Sequence, residues 1–503
     1  MQGAAASALL LVLSAPPSPL FWLAFVALTP FTLGVRRADR PNCVRAGALL
    51  FALHWGLALL WIPQAGLRVG AWTLAAWLAL TLTLTLLGAL FGYFMHALTE
   101  RARWPLPLAL ALAWVAVEVM RGSWLGPLNF PWLGMALPLT AIPELIQGAS
   151  IVGEAGLSFG VALVAGCGAL LLSAESGAPS RRGRWAIGLA VTAALAGAWA
   201  LGHVRLTEAS LVPAGAFVVV QPAVPLVDKR GPAAAERSIS AVELLLDDAR
   251  AAAAESQARA IVLPETALEG PGPETGATLQ RWRATAGVDL IAGVPLELEA
   301  DRGVRRSNAV VHVTKQGAEA IRYKVRLVPG VEWVPLQSSS WVAGPRLNPA
   351  LIGGDLRVGA LVCIESASVS EALHHARGGA DLLVNVTNDS WLAEPPWWTR
   401  SAAFAQHPAH LAMRAVETGL GAVRVGNNGS SESVTPLGQR TPIVPSLRPG
   451  VGVAHVVTMT GSTAFVSAGW LFGWLIPWFT LVASVMASRR ARARLPIDPD
   501  LGR

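Results

Sequence analysis

The chain has 503 residues, 53% of them hydrophobic and only 14% charged, with a mean hydropathy of +0.48. That excess, gathered in long runs, excludes the make-up of a soluble enzyme and is that of a polytopic membrane protein. The formal charge is +7, but the basic residues stand at the ends of apolar runs and form no groove with interleaved aromatics, which argues against nucleic acid as a partner.

The first 35 residues carry no charged side chain, so the basic start of a cleaved signal peptide is missing and none is expected. Pro16, Pro17 and Pro19 split this stretch into a short apolar piece and a run over 20–35. Further runs cover 46–67, 70–98, 104–117, 155–174 and 185–203, and a last one covers 464–488. Each approaches or exceeds the ~20 residues a helix needs to cross hydrocarbon. The expectation is about eight spans, seven before a more polar region and one after it. Arginine then sets the orientation. Arg36, Arg37, Arg40 and Arg45 follow the second run, Arg101 and Arg103 the fourth, Arg181, Arg182 and Arg184 the sixth, and Arg489, Arg490, Arg492 and Arg494 the eighth. Every second junction is basic, which marks the cytoplasmic side and puts the polar region outside. Arg121 falls on the outer side near Glu118, its expected partner. The division is a membrane part over 1–204, an exported part over 205–460, and a closing span with a basic tail over 461–503.

After His203 the texture changes. The segments 216–224, 258–266, 289–297, 307–314, 357–365 and 381–389 read as strands apolar on both faces, as strands covered on two sides are. Residues 234–256 and 401–418 read as amphipathic helices, the second ending near Gly419. Strands alternating with helices predict an inserted α/β layered domain.

Three residues of this region carry chemistry. Lysine occurs only at 229, 315 and 324. The first two read as solvated, but Lys324 lies between apolar residues just ahead of LVPGVEWVP, and lysine is the cation whose charge a protein tunes. Glu265 closes IVLPE, where burial would raise it toward general-base range; the plainer reading is an acid at a helix start. Cys363, in GALVCIES, is the one thiol of the exported region, since Cys43 and Cys167 fall in or beside spans. It cannot form a disulfide within that region, and its two readings are a nucleophile or an inert buried cysteine. Glu365 is expected on the same strand face. His374 and His375 fall on one expected exposed helix and His407 and His410 on another, with no metal-ligand spacing, so no metal or other cofactor is expected.

A strand ending in LPET, then YKVRLVPGVEWVP, then Cys-x-Glu and NVTNDSW resembles the carbon–nitrogen hydrolase (nitrilase) superfamily. With the flanking spans, and with VVVQP at 218–222, NFPWLG at 129–134 and RVGNNG at 424–429, the whole chain is similar to the apolipoprotein N-acyltransferase family. The resemblance implies an αββα sandwich in a bacterial inner membrane protein, its catalytic part on the periplasmic side. It implies Glu265 as general base, Lys324 as oxyanion stabiliser and Cys363 as acylated nucleophile, with Glu332 and Glu365 in support. The implied partners are a membrane phospholipid as acyl donor and a diacylated apolipoprotein as acceptor. Ile364 stands where relatives often carry an aromatic residue, Arg326 replaces a frequent histidine, and GVE replaces FGE. Trp333, Trp391, Trp397 and Trp398 are candidate interfacial or acyl-chain contacts, and Glu118, Glu154 and Arg121 a candidate lipid entrance; simple packing and an ion pair are the alternatives. Two competing readings remain, a membrane-anchored amidase or nitrilase that delivers the acyl group to water, and a transporter or receptor with an exported binding domain.

Overall fold

The computed structural model describes residues 1–173, 179–229, 233–270, 273–300, 303–329, 332–333, 340–392 and 401–493. The apolar runs of the N-terminal part fold as helices α1 (Gln2–Ser14), α2 (Phe21–Val35), α3 (Arg40–Gly66), α4 (Trp72–Arg101), α5 (Leu106–Ser123), α6 (Ala149–Leu172) and α7 (Arg181–Glu208). Asp39 caps α3 by accepting from the Asn42 amide, and Ser180 caps α7 by accepting from the Gly183 amide. Among the described residues six helices are long and apolar enough to cross a membrane, α3 to α7 and the C-terminal helix Phe465–Arg490. The two further segments in the expected eight, α1 and α2, are apolar but short. A helix of 13 residues rises only ~20 Å against ~30 Å of hydrocarbon. Prolines 16 and 17 stop α1, and the first turns of α2 are wound as a 3-10 helix. Gly47, Gly88 and Gly92 bring the backbones of α3 and α4 together; a Cβ on Gly88 would stand 2.5 Å from the Gly47 carbonyl oxygen.

The arginine-rich junctions gather at one end of this bundle. Arg36 donates to the Ser173 hydroxyl and Arg184 to the Ser173 carbonyl at 2.6 Å, while Tyr93 and Ser488 share a bond of 3.1 Å. The opposite end meets the α/β part. There Trp132 donates to Gln406 Oε1 at 2.9 Å, and Gln406 donates to the Pro16 carbonyl at 3.1 Å.

The α/β part contains strands β1 (Leu211–Gln221), β2 (Ala260–Leu263), β3 (Asp289–Ala300), β4 (Gly303–Val313), β5 (Ala318–Tyr323) and β6 (Ala350–Ile352). They are followed by β7 (Leu356–Val362), β8 (Leu382–Thr387), β9 (Gly421–Gly426), β10 (Ser431–Val434), β11 (Arg440–Val444) and β12 (Gly450–Met459). Its helices are α8 (Ala234–Ser256), α9 (Pro273–Ala286), α10 (Val369–Arg377) and α11 (Ala403–Thr418), and the closing membrane helix Phe465–Arg490 is α12. Two six-stranded sheets run β12-β1-β2-β3-β4-β5 and β11-β10-β9-β8-β7-β6. Successive side chains of a strand take opposite faces. In β1, Phe217 and Val219 enter the core between the sheets with Val358, Val384 and Val423, whereas Val218 and Val220 pack outward on Val242 and Leu246 of α8. On the far side Leu361 and Leu383 pack on Leu411 and Ala415 of α11. The layers are helix, sheet, sheet, helix, the αββα sandwich expected, and α11 also packs Phe404, Met413 and Val416 against the membrane helices.

Candidate active site

Glu265 follows the end of β2 after Pro264, with Thr266 in the left-handed region at φ 52. Gly293 of β3 lets this turn press against the sheet: a Cβ there would stand 2.5 Å from the Glu265 Cα, and its carbonyl takes the Ala267 amide at 2.8 Å. Lys324 stands just past β5, its amide bonded to the Asn308 carbonyl at 2.7 Å. Its Nζ donates to Glu265 Oε1 at 2.9 Å and to Glu332 Oε1 at 2.8 Å. Asn308 Nδ2 donates to the same two oxygens, at 3.1 and 3.0 Å. The second oxygens are held by backbone amides, Glu265 Oε2 by Asn388 at 3.0 Å and Glu332 Oε2 by Val328 at 2.8 Å. All of it is buried: Lys324 is 1% exposed and Glu265 5%.

Cys363 does not lie on a strand as expected. β7 stops at Val362, and Cys363 opens a 3-10 turn over Cys363–Ala367 with φ 52. A left-handed, non-glycine residue costs ~1–3 kcal/mol and persists only where its surroundings hold it. Glu365 does the holding, and so it does not share a strand face with Cys363. Its carboxylate turns back to accept the Val362 amide at 3.0 Å, and it reaches across to the amides of Val325 at 2.7 Å and Arg326 at 3.2 Å. One buried side chain thus ties the cysteine turn to the segment that carries Lys324. Asn385 clamps the turn further, donating to the carbonyls of Leu361 and Cys363, both at 3.3 Å. Beneath it, Arg322 donates to Glu365 at 3.1 Å and to Glu371 at 2.8 Å, and Glu371 also takes Arg326 and Arg346.

The charges of these groups act on one another. Burial pushes the Cys363 thiol up, and the Glu265 charge adds to it while Lys324 opposes it, so the thiol stays protonated until a base acts. Burial also raises Glu265; the pairing with Lys324 opposes this, and the Glu332 charge adds to the rise. Burial works to lower Lys324, but Glu265 and Glu332 overcome it and hold the ammonium well above its ordinary value. Two carboxylates around one ammonium leave a negative charge that a proton would relieve. This is the electrostatic state of a carboxylate ready to accept one.

Around the trio the structure adds residues that sequence reasoning missed. Asp389 accepts from Thr387 at 3.1 Å, from Arg424 at 2.6 Å, and contacts His407 at 2.9 Å. Burial would raise its carboxyl, but Arg424 and His407 hold it well below the carboxylate range. NVTND and RVGNNG carried the signal, as polar residues set inside apolar strands. Lys229 is not solvated as read: it pairs with Glu269 at 2.7 Å and is buried. His375 is likewise buried, bonded to the Ala360 carbonyl at 2.8 Å, and burial then Arg322 lower it to about 3. Arg121 and Glu118 serve the NFPWLG loop. Arg121 donates to the carbonyls of Phe130 (2.6 Å) and Trp132, and Glu118 accepts the Met135 amide at 2.8 Å. Trp391 packs edge-on against Trp61 at 5.2 Å. Trp333 and Ile364 line a cleft of about 450 Å³ against Gly122 and Pro131 of the membrane part. Trp397 and Trp398 lie outside the described residues, as do Val331 of the GVE departure and Arg494.

Comparison with known proteins finds two family matches. Residues 7–167 match the family described as the Apolipoprotein N-acyltransferase N-terminal domain, and residues 229–461 match the Carbon-nitrogen hydrolase family. An Apolipoprotein N-acyltransferase of Azotobacter vinelandii is 30% identical over 92% of this chain and 90% of its own length. One of Ralstonia nicotianae is 28% identical over 90% of this chain and 87% of its own. Among solved structures, an amidase from Nesterenkonia sp. aligns over 53% of this chain and 98% of its own, with 20% identity and a TM-score of 0.37. Alike from its first apolar run to the last strand of its sandwich, the chain is a member of the apolipoprotein N-acyltransferase family.

Proposed function

We propose that the enzyme moves an acyl chain from a membrane phospholipid, through a thioester on Cys363, to the α-amine of the diacylglyceryl-cysteine that begins an apolipoprotein. The observation that carries this reading is the buried Glu265–Lys324–Glu332 set, coupled in charge to a cysteine on a strained turn above the membrane helices. Glu265 takes the thiol proton as sulfur attacks the ester carbonyl, and Lys324 faces the oxyanion that forms. Collapse expels the lysophospholipid, whose oxygen regains the proton from Glu265. The acceptor amine then attacks the thioester, Glu265 takes a proton from the nitrogen, and collapse leaves an amide and the restored thiol. Ester and amine become alcohol and amide, with no outside oxidant or reductant. Glu332 keeps Lys324 charged and in register, and Glu365 sets the cysteine turn. Because both substrates are lipids, a cleft walled partly by membrane helices keeps water from the thioester and favours aminolysis.

The units of this reading are 1–204 as membrane part, 205–460 as catalytic part and 461–503 as closing span and tail. The gathered arginines favour a cytoplasmic position for their end of the bundle, and hence a periplasmic catalytic part at a bacterial inner membrane. The test is intact-mass analysis of the full-length protein given a labelled phospholipid. An acyl adduct is expected on Cys363, cleaved by neutral hydroxylamine and discharged to amide by a diacylglyceryl-cysteine peptide. Undiminished acylation by Cys363→Ala would defeat the reading, and discharge to free fatty acid alone would make the enzyme a hydrolase.

A further inference from the structure

Next to the cleft at Ile364 lies a larger cavity of about 630 Å³. The two have Gly122, Pro131, Arg326 and Ser368 in common, so they adjoin beside the cysteine turn. The walls of the larger cavity differ in chemistry. One is built by membrane helices, with Val119 of α5, Ala155 of α6, and Trp470 and Trp474 of α12. Both tryptophans stand in the first turns of a spanning helix, where the indole ring settles at a membrane–water boundary. The other wall belongs to the α/β part and presents Arg326, Arg346, Asn348, Ser370 and Arg377.

Charge decides what the cavity takes. Arg326 and Arg346 share Glu371, and Arg414 pairs with Glu154 at 2.6 Å and Glu417 at 2.9 Å. Arg121 and Glu118 also reach this cavity. Counting Glu371 behind its arginines, and leaving Arg322 to offset Glu365, five guanidinium groups (121, 326, 346, 377, 414) meet four carboxyl groups (118, 154, 371, 417), and at least one positive charge is left over. Arg377 carries it. Its Nε and Nη2 donate to the Val466 carbonyl at 3.2 and 3.1 Å, its guanidinium lies 4.7 Å from the Trp470 ring centre, and no carboxylate pairs with it among the described residues. The side chain is exposed, and its remaining donors are open to a ligand.

We propose that this cavity seats the phosphate headgroup of a membrane glycerophospholipid, with Arg377 and Arg346 on the phosphate and Trp470 and Trp474 beside the glycerol and upper chains. Guanidinium matches phosphate oxygens in fork geometry. A free phosphate would use the cations but not the tryptophan wall; a lipid uses both. The inference rests on the reading above and deepens its donor side, since a lipid seated here has its esters next to the cleft at Ile364.

The experiment uses full-length protein in mixed micelles and reads Cys363 thioester formation from two donors, dioleoyl phosphatidylglycerol and the headgroup-free ester p-nitrophenyl palmitate. Arg377→Gln is expected to raise the KM for the phospholipid ~10-fold, the worth of one charge-assisted contact, with kcat nearly kept; Arg377→Lys recovers part of the loss. The headgroup-free donor separates a binding role from a folding one, because a misfolded variant loses both reactions alike. Equal loss with both donors, or an unchanged phospholipid KM, overturns the proposal. Inhibition by millimolar inorganic phosphate that disappears in Arg377→Gln would overturn it in favour of free anion. Native mass spectrometry of bound phosphatidylglycerol, lower in Arg377→Gln, decides the site even if wild-type protein forms no thioester from either donor, which would defeat only the parent reading.

Discussion

Glu265 has one carboxylate oxygen on Lys324 and Asn308 and the other on the Asn388 amide. With this many donors a carboxylate would ordinarily be a poor base. Burial and the second carboxylate, Glu332, reverse that balance. This yields a signed prediction. The Glu332 charge raises Glu265, and Glu332 also draws on the ammonium that Glu265 would otherwise hold alone. Glu332→Gln removes the first effect and frees Lys324 for Glu265, and both changes lower the Glu265 value. The acid limb of kcat/KM, read as thioester formation against pH, should therefore move to lower pH. A limb that stays put or rises would detach the limb from Glu265. Glu265→Gln should lower the acylation rate ~10²–10⁴-fold in the protein that remains folded, the usual span for a lost general base; a drop below tenfold would remove it from that role. Glu265, Lys324 and Cys363 stand out in the sequence because each is a reactive type in an apolar setting, but that setting left other readings open and only the family resemblance implied their roles. Asn308 and Asn388 do not stand out, because asparagine in a strand or turn looks the same whether it steers a carboxylate or closes a loop.

At the scale of elements, the cysteine turn depends on a buried hub. Arg322, Glu365 and Glu371 are all fully buried and join β5, the turn and α10. Burial alone would raise Glu371, but its bonds to Arg346 and Arg322 hold it well below the carboxylate range. A depressed carboxyl stabilises the fold fully above its unfolded value of ~4.3 and loses that contribution as pH falls through the folded value. Glu371→Gln should thus flatten the fall of Tm on acidification below pH ~4. At neutral pH it should cost ~3–5 kcal/mol at most, because Arg322 is left without half its partners. A thermal shift that ignores the substitution at both pH values would rule the hub out as a support. Helix α8 was read to its ends because its apolar stripe has a clear 3.6-residue period. β7 was read through to residue 365, three residues too far, since nothing local tells that Glu365 will capture the Val362 amide. β9 to β12 went unread: SESV and RTPIV are short and polar, and β12 pairs with β1 across the whole domain, Leu211 opposite Met459. Pairing over that separation leaves no mark within a short window of sequence.

At the scale of the molecule, the membrane part does more than anchor the sandwich. Trp132 of the NFPWLG loop packs on His407 and His410 of α11, at 5.6 and 5.0 Å, and bonds to Gln406. One turn further along α11, Arg414 reaches in three directions, to Glu154 of membrane helix α6, to Glu417, and to the Ala367 carbonyl at 3.1 Å. Ala367 closes the turn that Cys363 opens. A bilayer-embedded helix is therefore one side chain away from the turn that holds Cys363. Glu417, raised to about 7 by burial first and by the Glu154 charge against the pull of Arg414, is a weak counter-ion by itself near neutrality. Glu154 is then the principal partner of a fully buried guanidinium. Glu154→Gln should lower Tm in detergent by the equivalent of ~3 kcal/mol, the lower end for breaking one side of a buried pair, because Glu417 becomes a better partner once its neighbour is neutral. The same substitution should slow Cys363 acylation, whereas Glu255→Gln on the exposed face of α8 changes neither. If Glu154→Gln melts and acylates like the parent protein, α6 holds the sandwich in place without governing its cysteine turn.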